Sequence, residues 1–374
     1  MAVANMVIII GGGFSGMCAA IQMRKLGVEV HIAEIDPDWR AYGAGITIGG
    51  PTLRALGVVG VLPQVVAQGW CADGVDICAP NGAKLMELPT PRVAGPDVPG
   101  GGAIMRPVLA KILADATRAS GTQVRLGVTF ESIRPTDANV EVTFTDGRHD
   151  SYDLLIGADG WQSKTRDLLF PDGPKPKYTG QGVWRAVLPR HASISRPTVY
   201  MGHKVKAGLI PVSKDEMYMF VTEDRPDNDH LDPKDLPQIL KGVLAQFGGL
   251  VAEIRDGLGA DSRIVFRPLE ALLLPLPWVK GRAVLIGDTV HATTPHLAAG
   301  AGIGIEDAIV LAEEIGREST LADALEKHQA RRWERCRMVV QNSVRLGEIE
   351  IEGGSKEEHS KLMGQSLMAL AAPI

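Results

Sequence analysis

The chain has 374 residues, of which 45% are hydrophobic and 22% charged, as in an ordinary globular protein with one large or two closely packed domains. Its 39 basic and 44 acidic residues give a net charge of −5, which argues against nucleic-acid partners and against an anionic membrane partner. No apolar run reaches the roughly 18–20 residues that span a membrane, and the apolar start lacks the basic leader of a secretion signal.

Four cysteines are scattered along the chain and form no C-x-x-C pair. None lies beside a cluster of histidines, so the sequence predicts no metal site. Separate cysteines are typical of proteins in a reducing compartment, and we therefore expect a cytoplasmic location.

The first predicted element is a buried strand at Met6–Ile10, followed directly by the motif G-x-G-x-x-G at residues 11–16. Residues 17–27 are predicted to form a helix that ends at a glycine, and residues 28–33 a second strand closed by Glu34. This order of strand, glycine turn, helix, strand and acidic residue is the context that a dinucleotide-binding motif requires.

Each glycine of that motif has a structural role. Gly11 allows the tight turn, Gly13 lets a pyrophosphate approach the backbone, and Gly16 lets the helix pack closely on the strand. The helix N-terminus favours phosphate, and Glu34 accepts hydrogen bonds from a ribose. The sequence therefore predicts that the chain binds a dinucleotide.

The following elements switch between helical and strand periodicity. Helices are predicted at 106–120, 233–260, 304–315 and 321–350, and strands at 124–126, 129–133, 140–144, 153–156, 183–188, 198–201, 206–210, 217–222 and 282–286. The strands after residue 160 are separated by polar or Gly/Pro turns and indicate an inserted antiparallel sheet. We predict a discontinuous nucleotide-binding domain of residues 1–65, 105–165 and 276–350, a sheet-rich domain of 66–104 and 166–275, and a tail of 351–374.

Two further motifs follow buried strands. Residues 157–166 read Gly-Ala-Asp-Gly-Trp-Gln-Ser-Lys-Thr-Arg, and a longer motif begins at Gly287-Asp288 and runs through Pro295 to Ala308. Asp288 stands at the end of a strand, where its carboxylate accepts a sugar hydroxyl. Small residues at 298–302 precede a helix, and their N–H groups suit a pyrophosphate or a flavin carbonyl.

Together the three motifs resemble those of the class A flavoprotein aromatic monooxygenases, the family of para-hydroxybenzoate hydroxylase and salicylate hydroxylase. The resemblance runs from Val7 to about Arg345, with the motifs in family order. It implies an α/β fold: a Rossmann-like FAD-binding domain of the glutathione-reductase type, an interposed sheet-rich substrate domain and a long C-terminal helix. It also implies non-covalent FAD, NADH or NADPH as reductant, and O2.

The resemblance assigns cofactor contacts to residues spread over the whole motif set. These are Gly11, Gly13, Ser15, Gly16, Glu34, Arg40, Gly45, Arg106, Val128, Asp159 and Asp288, with the backbone of Gly300, Ala301 and Gly302 at the last turn. One departure stands out, because the family often has Gly-Gln-Gly-x-Asn where this chain has Ala-Ala-Gly-Ala-Gly at 298–302. Backbone contacts survive that change, but a side-chain amide is missing.

Candidates for substrate binding and catalysis come from the inserted sheet and the last motif. Tyr200, His203 and Tyr218 are candidates to bind or deprotonate a phenol, with a core or rim position as the alternative. Trp184 is a substrate-binding candidate, and the adjacent Arg185 pairs either with a substrate carboxylate or with a structural partner. The resemblance places Pro295 beside the reacting face of the flavin. His296, its neighbour, is a substrate-site candidate, and His291 supports the turn.

The leading hypothesis is an FAD-dependent monooxygenase that hydroxylates a small phenolic or hydroxylated heteroaromatic substrate through a C4a-hydroperoxyflavin, as a monomer or homodimer. An FAD-dependent reductase or dehydrogenase of the same fold stays open. A third possibility is a non-catalytic nucleotide-binding protein. No W-x-W-x-I-P motif of a halogenase is present, and Cys18 has no redox partner in the first helix.

Overall fold

The computed structural model describes residues 2–41 and 43–374. Nineteen strands lie in the described chain: β1 (Met6–Ile10), β2 (Glu29–Glu34), β3 (Gly45–Gly49), β4 (Trp70–Ala72), β5 (Val75–Cys78), β6 (Lys84–Leu88), β7 (Gly101–Met105), β8 (Gln123–Leu126), β9 (Phe130–Pro135), β10 (Val140–Phe144), β11 (His149–Tyr152), β12 (Leu154–Gly157), β13 (Lys177–Pro189), β14 (Thr198–Met201), β15 (Val205–Pro211), β16 (Glu216–Asp224), β17 (Ile264–Ala271), β18 (Val279–Lys280) and β19 (Ala283–Leu285).

Eleven α-helices accompany these strands within the same described ranges. They are α1 (Phe14–Lys25), α2 (Gly50–Val59), α3 (Leu62–Gln68), α4 (Arg106–Ala119), α5 (Lys164–Leu169), α6 (Leu236–Val243), α7 (Gly249–Gly257), α8 (Asp288–His291), α9 (Gly300–Arg317), α10 (Leu321–Glu352) and α11 (Lys356–Ala371). Two 3₁₀ turns lie at Leu244–Gln246 and Pro295–Leu297. Among the described helices, none is both long and apolar enough to cross a bilayer.

A six-stranded sheet in the order β18-β19-β12-β1-β2-β8 forms the centre of the motif-bearing part of the chain. β1 runs parallel to both β12 and β2, and only the edge strand β18 is antiparallel. Helices α1, α4 and α9 cover one face, and the three-stranded sheet β11-β10-β9 covers the other together with α10. Because both faces are covered, the central strands are continuous apolar runs rather than alternating ones. The carboxyl ends of β1, β2, β12 and β19 therefore meet at one edge, where all three sequence motifs begin.

A seven-stranded sheet in the order β17-β13-β16-β15-β14-β5-β6 forms the second large unit. Its strands come from residues 75–88 and 177–271, and only the pair β14–β5 is parallel. One face carries Met217, Met219 and Val221 and packs under α6 and α7 in an apolar cluster. The opposite face carries Tyr218 and Phe220 and meets Ala44 and Ala103 of the other unit. Alternation along β16 thus separates a structural face from a face that lines the cleft.

Several sequence predictions are confirmed at the level of elements. Strands 140–144 and 198–201 have the predicted bounds, and the predicted long helix at 321–350 is α10. β17 was not predicted, because Pro268 within it is typical of a turn. Its position at the sheet edge explains why a proline is tolerated there.

The predicted C-terminal tail, residues 351–374, contains an ordered helix. Ser355 caps α11 by accepting a hydrogen bond from the N–H of Glu358 at 3.2 Å. The guanidinium of Arg54 donates to the carbonyls of Ala371 and Ala372 at 2.9 and 2.7 Å, which anchors the end of α11 to α2. The sequence missed this docking because the partners lie more than 300 residues apart.

His328 on α10 gives a first testable prediction. It is fully buried, neither ring nitrogen has a hydrogen-bond partner among the described residues, and burial is the main cause that lowers its pKa to about 4. The pKa of His328 in the folded protein lies below the unfolded value near 6.5. Its contribution to the free energy of unfolding is therefore fully present above pH 6.5 and is lost as the pH falls towards 4.

We expect His328 to account for a loss of about 2 kcal/mol of unfolding free energy between pH 7 and pH 5. Urea unfolding at both pH values measures it, and His328→Leu should reduce the loss by that amount. The exposed His149 is the matched control, and His149→Leu should keep the wild-type dependence. An unchanged dependence in His328→Leu would contradict this prediction.

Candidate active site

The glycine turn after β1 forms an open cradle of backbone N–H groups. Gly11 has a φ of +102°, and a Cβ there would come within 2.5 Å of the Ala158 carbonyl oxygen. A Cβ at Gly16 would overlap the carbonyl oxygen of Gly11. A Cβ at Gly13, by contrast, would meet nothing within 4 Å, and no side chain caps α1 at this end. The uncapped N-terminus and the free space beside Gly13 fit a pyrophosphate.

Glu34 ends β2 beside this cradle with its carboxylate already oriented. Its Oε2 accepts a hydrogen bond from the N–H of Gly12 at 2.6 Å, and its Oε1 accepts one from Asp36 at 2.8 Å. Trp39 closes the same region by donating its indole N–H to the Gly12 carbonyl at 2.8 Å. The half-buried carboxylate keeps lone pairs for a sugar hydroxyl.

Asp288 begins α8 directly after β19 and faces the cleft at the carboxyl edge of the sheet. Although solvent reaches its side chain, the surrounding protein desolvates the carboxyl and raises the pKa of Asp288, against the opposing effects of His291 and Arg106. Gly287 before it has a φ of +66° and lies against the Ser15 hydroxyl. A Cβ at Gly304 would meet the same hydroxyl, so Ser15 joins α1, the Gly287 turn and α9.

The N-terminus of α9 is a second uncapped helix end. No side chain accepts from its first N–H groups, which belong to Gly300, Ala301 and Gly302. A Cβ at Gly302 would overlap the Thr52 hydroxyl, so glycine there permits close packing with α2. Pro295 starts the 3₁₀ turn that leads into α9, and Ala298 ends that turn with a φ of +48°. Two helix N-termini and Asp288 together fit the phosphates, the flavin and the sugar chain of FAD.

The other side of the cleft is the Tyr218 face of the seven-stranded sheet. Tyr218 lies 2.6 Å, oxygen to oxygen, from the Thr47 hydroxyl on β3. A Cβ at Gly45 would overlap the Tyr218 ring, so glycine at this position lets β3 approach the sheet. Burial is the main cause that raises the pKa of Tyr218, which is therefore a neutral phenol at pH 7. It can donate a hydrogen bond but is a poor base.

Arg185 lies on the same sheet face as Tyr218, because it pairs with Phe220 across the β13–β16 ladder. Its guanidinium makes no hydrogen bond or ion pair within residues 2–41 and 43–374. Burial lowers the pKa of Arg185; the nearby Tyr218 opposes this and Arg106 adds to it. Arg106 lies over the Phe14 ring at 5.3 Å and is also influenced by Asp288. Arg106 is therefore influenced by both Asp288 and Tyr218, and Arg185 by Tyr218 and Arg106.

The structure does not bring His203, the predicted base, to the cleft beside Tyr218. His203 is exposed on the turn between β14 and β15, where its N–H donates to Gln246 at 2.6 Å. Ile210, seven residues further on, is the residue that pairs with Tyr218. At roughly 3.3 Å per residue, His203 lies about 20 Å along the chain from the position that pairs with Tyr218.

Trp184 and Tyr200 lie on the opposite face of the sheet from the cleft. Both belong to the apolar cluster under α6 and α7, and Trp184 donates its indole N–H to Glu223 at 2.9 Å. Tyr200 pairs with Ala207 and Cys78, and burial is the main cause that raises its pKa to about 12. The structure therefore does not bring these two predicted substrate contacts to the cleft, since strand alternation directs them into the core.

His296 is also withdrawn from the cleft. Its side chain is fully buried, Nδ1 lies 2.9 Å from the Thr294 hydroxyl, and Nε2 lies 3.4 Å from a carboxylate oxygen of Glu350 on α10. Lys206 donates to the other oxygen of Glu350 at 2.6 Å. His296 thus ties the Pro295 turn to the long helix, and the structure does not support a direct substrate contact.

Three predicted cofactor residues have mainly local partners. Both oxygens of Asp159 accept hydrogen bonds from the start of α5, from the Ser163 hydroxyl and from the N–H and hydroxyl of Thr165. Arg40 pairs with Asp36 at 3.6 Å and with Asp38 at 3.0 Å. Val128 is buried beyond β8, and its N–H donates to the Glu34 carbonyl at 3.0 Å, at the edge where the motifs converge.

Thr47, Arg166 and Asp307 shape the site and were missed as functional residues. Thr47 contacts Tyr218, and the alternation of β3 after Gly45 is the only sequence signal for it. Arg166, the last residue of the second motif, is buried and donates to the carbonyls of Trp161 and Thr289 at 2.9 and 3.2 Å. Asp307 lies beneath the Asp288 turn and contacts His291 at 2.6 Å.

His291, Asp307 and Cys336 place their polar atoms within 4.8 Å of one another. A metal ion is not required to balance this cluster, because the Arg332 guanidinium already donates to Asp307 Oδ1 at 2.7 Å. Burial opposes a charge on His291, but Cys336 and Asp307 raise its pKa well above the ordinary value. The prediction that His291 supports the turn agrees with this position.

The fold and the two-sided cleft define an FAD-binding protein, and the comparisons with known proteins agree. The family described as FAD binding domain matches residues 5–343. Among curated relatives, the aurachin C monooxygenase/isomerase of Stigmatella aurantiaca is 31% identical over 92% of this chain and 89% of its own length. The 2-heptyl-3-hydroxy-4(1H)-quinolone synthase of Pseudomonas aeruginosa is 31% identical over 82% of this chain and 79% of its own.

Solved structures show the same fold. HpxO of Klebsiella pneumoniae, complexed with FAD and uric acid, has a TM-score of 0.83 at 22% identity, covering 98% of this chain and 92% of that one. PqsL of P. aeruginosa, in complex with 2-aminobenzoylacetate, has a TM-score of 0.83 at 20% identity, covering 96% and 100%.

The chain belongs to the FAD-binding-domain family of class A flavoprotein aromatic monooxygenases, which confirms the resemblance seen in the sequence. It is therefore an FAD-dependent enzyme of the monooxygenase and hydroxylase type.

Proposed function

We propose that this enzyme hydroxylates a small, acidic heteroaromatic compound, with NADH or NADPH as reductant and O2 as the oxygen source. The observation that carries the proposal is Arg185, a largely enclosed guanidinium without a hydrogen bond or ion pair in the described part of the chain. A partly buried cation without a protein partner is incompletely solvated, so its position on the cleft face suggests an anionic partner. A substrate carboxylate, an enolate or a deprotonated ring nitrogen would supply that partner.

The relatives support this class of substrate. The names of two of them specify a quinolone and urate, and two of the similar structures hold uric acid and 2-aminobenzoylacetate. All of these compounds combine a ring with an acidic or enolic group. A cleft wall of Arg185, Tyr218 and Phe220 offers one cation, one phenol and one aromatic face for such a molecule.

The proposed chemistry needs no protein base at the ring. When bound, FAD supplies hydride acceptance and activation of O2, and the protein supplies position and electrostatics. Arg185 and Arg106 stabilise the anionic form of the substrate, which is the electron-rich form that attacks an electrophilic oxygen. Tyr218, held by Thr47, donates a hydrogen bond that orients a substrate oxygen. Pro295 would pack beside the flavin ring.

Cofactor contacts form part of the same proposal. Gly11, Gly13 and Gly16 shape the cradle for the diphosphate, Ser15 braces it, and Glu34 accepts from the adenosine ribose. Asp288 would hold the ribityl chain, and the N–H groups of Gly300, Ala301 and Gly302 would meet the flavin. The remaining direct contacts with FAD would come from Arg106, Gly45 and Val128. The contribution of Arg40 and Asp159 would be mainly indirect, through the loops that they stabilise.

Two further features belong to the proposal. In this proposal the FAD domain is discontinuous, the substrate domain is inserted, and the reaction takes place between the two main sheets.

The proposed location is a reducing, cytoplasmic one. All four cysteines are free, which suits such a location.

Oxygen labelling gives the decisive test of function. NADH and NADPH oxidation would be followed against a panel of hydroxyquinolines, hydroxypyridines, purines and aromatic acids. A substrate should accelerate oxidation, and with ¹⁸O2 its product should gain one ¹⁸O atom. Matched decarboxylated or O-methylated compounds are the controls and should stimulate weakly. Oxygen incorporated from water, or a product that only loses hydrogen, would contradict the proposal and favour a dehydrogenase.

A further inference from the structure

We infer that Asp307, on α9, is a positioning residue that sets the orientation of Asp288 towards FAD without facing the cleft itself. Asp307 is fully buried. Its Oδ2 accepts a hydrogen bond from the N–H of Gly287 at 2.9 Å and lies 2.6 Å from Nε2 of His291. These two contacts bracket Asp288, which follows Gly287 directly and precedes His291 by three residues.

The other oxygen of Asp307 is held from the long helix. Arg332 on α10 donates from Nε to Oδ1 at 2.7 Å, and the Cys336 thiol lies 3.7 Å from the same oxygen. Arg332 is itself fixed by the carbonyl of Ile303 at 3.1 Å and by Glu306 at 3.0 Å. The carboxylate therefore cannot rotate without breaking charge-assisted hydrogen bonds in a dry interior.

The far side of the turn has its own support. Arg166 donates to the Thr289 carbonyl at 3.2 Å, and the N–H of Gly160 donates to the Thr289 hydroxyl at 3.2 Å. The turn is thus clamped after Asp288 by Arg166 and before it by Asp307. Loss of Asp307 frees the Gly287 N–H and the His291 ring, while Thr289 stays held by Arg166 and Gly160. A φ of +66° at Gly287 makes the start of the turn easy to reorient. Asp288 would then point away from its cofactor hydroxyl.

A double-mutant cycle tests this inference, which rests on the proposed contact between Asp288 and FAD. The dissociation constant of FAD is measured by titrating apoprotein of D288N, D307N and the double variant at 10 °C, with urea unfolding measured separately. We expect D288N to weaken binding about 10- to 100-fold and D307N about 10-fold. In the D288N background, D307N should add less than about twofold, because Asp307 acts through Asp288.

Glu306 provides the matched control. It is equally buried, shares Arg332 with Asp307 and does not touch the turn. E306Q should lower the unfolding free energy but leave the dissociation constant of FAD unchanged. If D307N does not fold, H291F replaces it in the same cycle, since it removes one neighbour of Oδ2 and keeps the Arg332 pair.

The possible results distinguish the positioning role of Asp307 from the contact of Asp288 with FAD. Unchanged FAD binding in D307N, or effects of D307N and D288N that simply multiply, would overturn the positioning role while the Asp288 contact stands. Unchanged binding in D288N would overturn both. Weakened binding in E306Q equal to that in D307N would show a merely structural effect and would also overturn the inference.

Discussion

Replacement of Gly13 by alanine is expected to remove FAD from the protein without weakening the apoprotein. The backbone at Gly13 has a φ of −73°, which alanine adopts freely, and a Cβ there meets nothing within 4 Å. In the complex, the added methyl would occupy the space through which a pyrophosphate approaches the α1 N–H groups. We expect FAD affinity to fall at least about 100-fold, which corresponds to about 2.7 kcal/mol.

Fluorescence titration of apoprotein with FAD measures this loss, and thermal unfolding of the apoprotein supplies the second reading. Gly16→Ala is the contrasting variant, because its Cβ would overlap the Gly11 carbonyl oxygen even without cofactor. That variant should lose both FAD affinity and apoprotein stability. Full FAD occupancy in Gly13→Ala after dialysis would show that the phosphates do not lie at this turn.

Replacement of Arg185 by methionine should produce the largest effect on substrate binding. If a substrate anion pairs with this enclosed guanidinium, truncation leaves the anion unpaired, and such a loss costs about 2–5 kcal/mol. Binding of an acidic substrate, followed by its perturbation of the flavin spectrum, should weaken about 30- to 5,000-fold. FAD affinity should not change. The apoprotein should be about as stable as the wild type, because among the described residues the Arg185 guanidinium makes no hydrogen bond or ion pair that could be lost.

Arg267 is the matched control for Arg185. It lies on the neighbouring strand β17 and pairs with Val183, on the same sheet face as Arg185. It is close enough to lower the pKa of Arg185, but unlike Arg185 it is exposed. Arg267→Met removes the same charge from the same sheet and should change substrate binding less than about threefold, since exposed charges interact weakly through solvent. Equal losses in both variants would mean that general positive charge, rather than a contact at Arg185, attracts the substrate. An unaffected Arg185→Met would remove the basis for an acidic substrate.

The cofactor half of the site was predictable because its signals are local. Gly11, Gly13 and Gly16 lie within six residues of one another, and the strand before them and Glu34 after them complete a pattern with one physical meaning. Asp288 was predictable for the same reason, because it follows a buried strand directly. Short-range constraints of this kind operate within one turn of chain and do not depend on distant partners.

The substrate half was predicted less well because it depends on which face of a sheet meets the cleft. Trp184 and Arg185 are adjacent in sequence, yet one packs under α6 and α7 and the other borders the cleft. Strand alternation predicts that the side chains of adjacent residues point to opposite faces of the sheet. Both faces of this sheet are covered, so hydrophobicity does not show which face borders the cleft. Tyr200 lies on the covered face for the same reason, whereas His203 lies on an exposed turn at the end of its strand.

The sequence by itself determined the nucleotide-binding fold and the cofactor class, since glycine turns and buried strands encode backbone geometry directly. Only the tertiary structure decided which side chains share the cleft. Tyr218 meets Thr47 across 171 residues, and Asp307 reaches back 20 residues to the N–H of Gly287. Such contacts depend on the packing of whole sheets and helices, and burial then decides which polar groups must find partners.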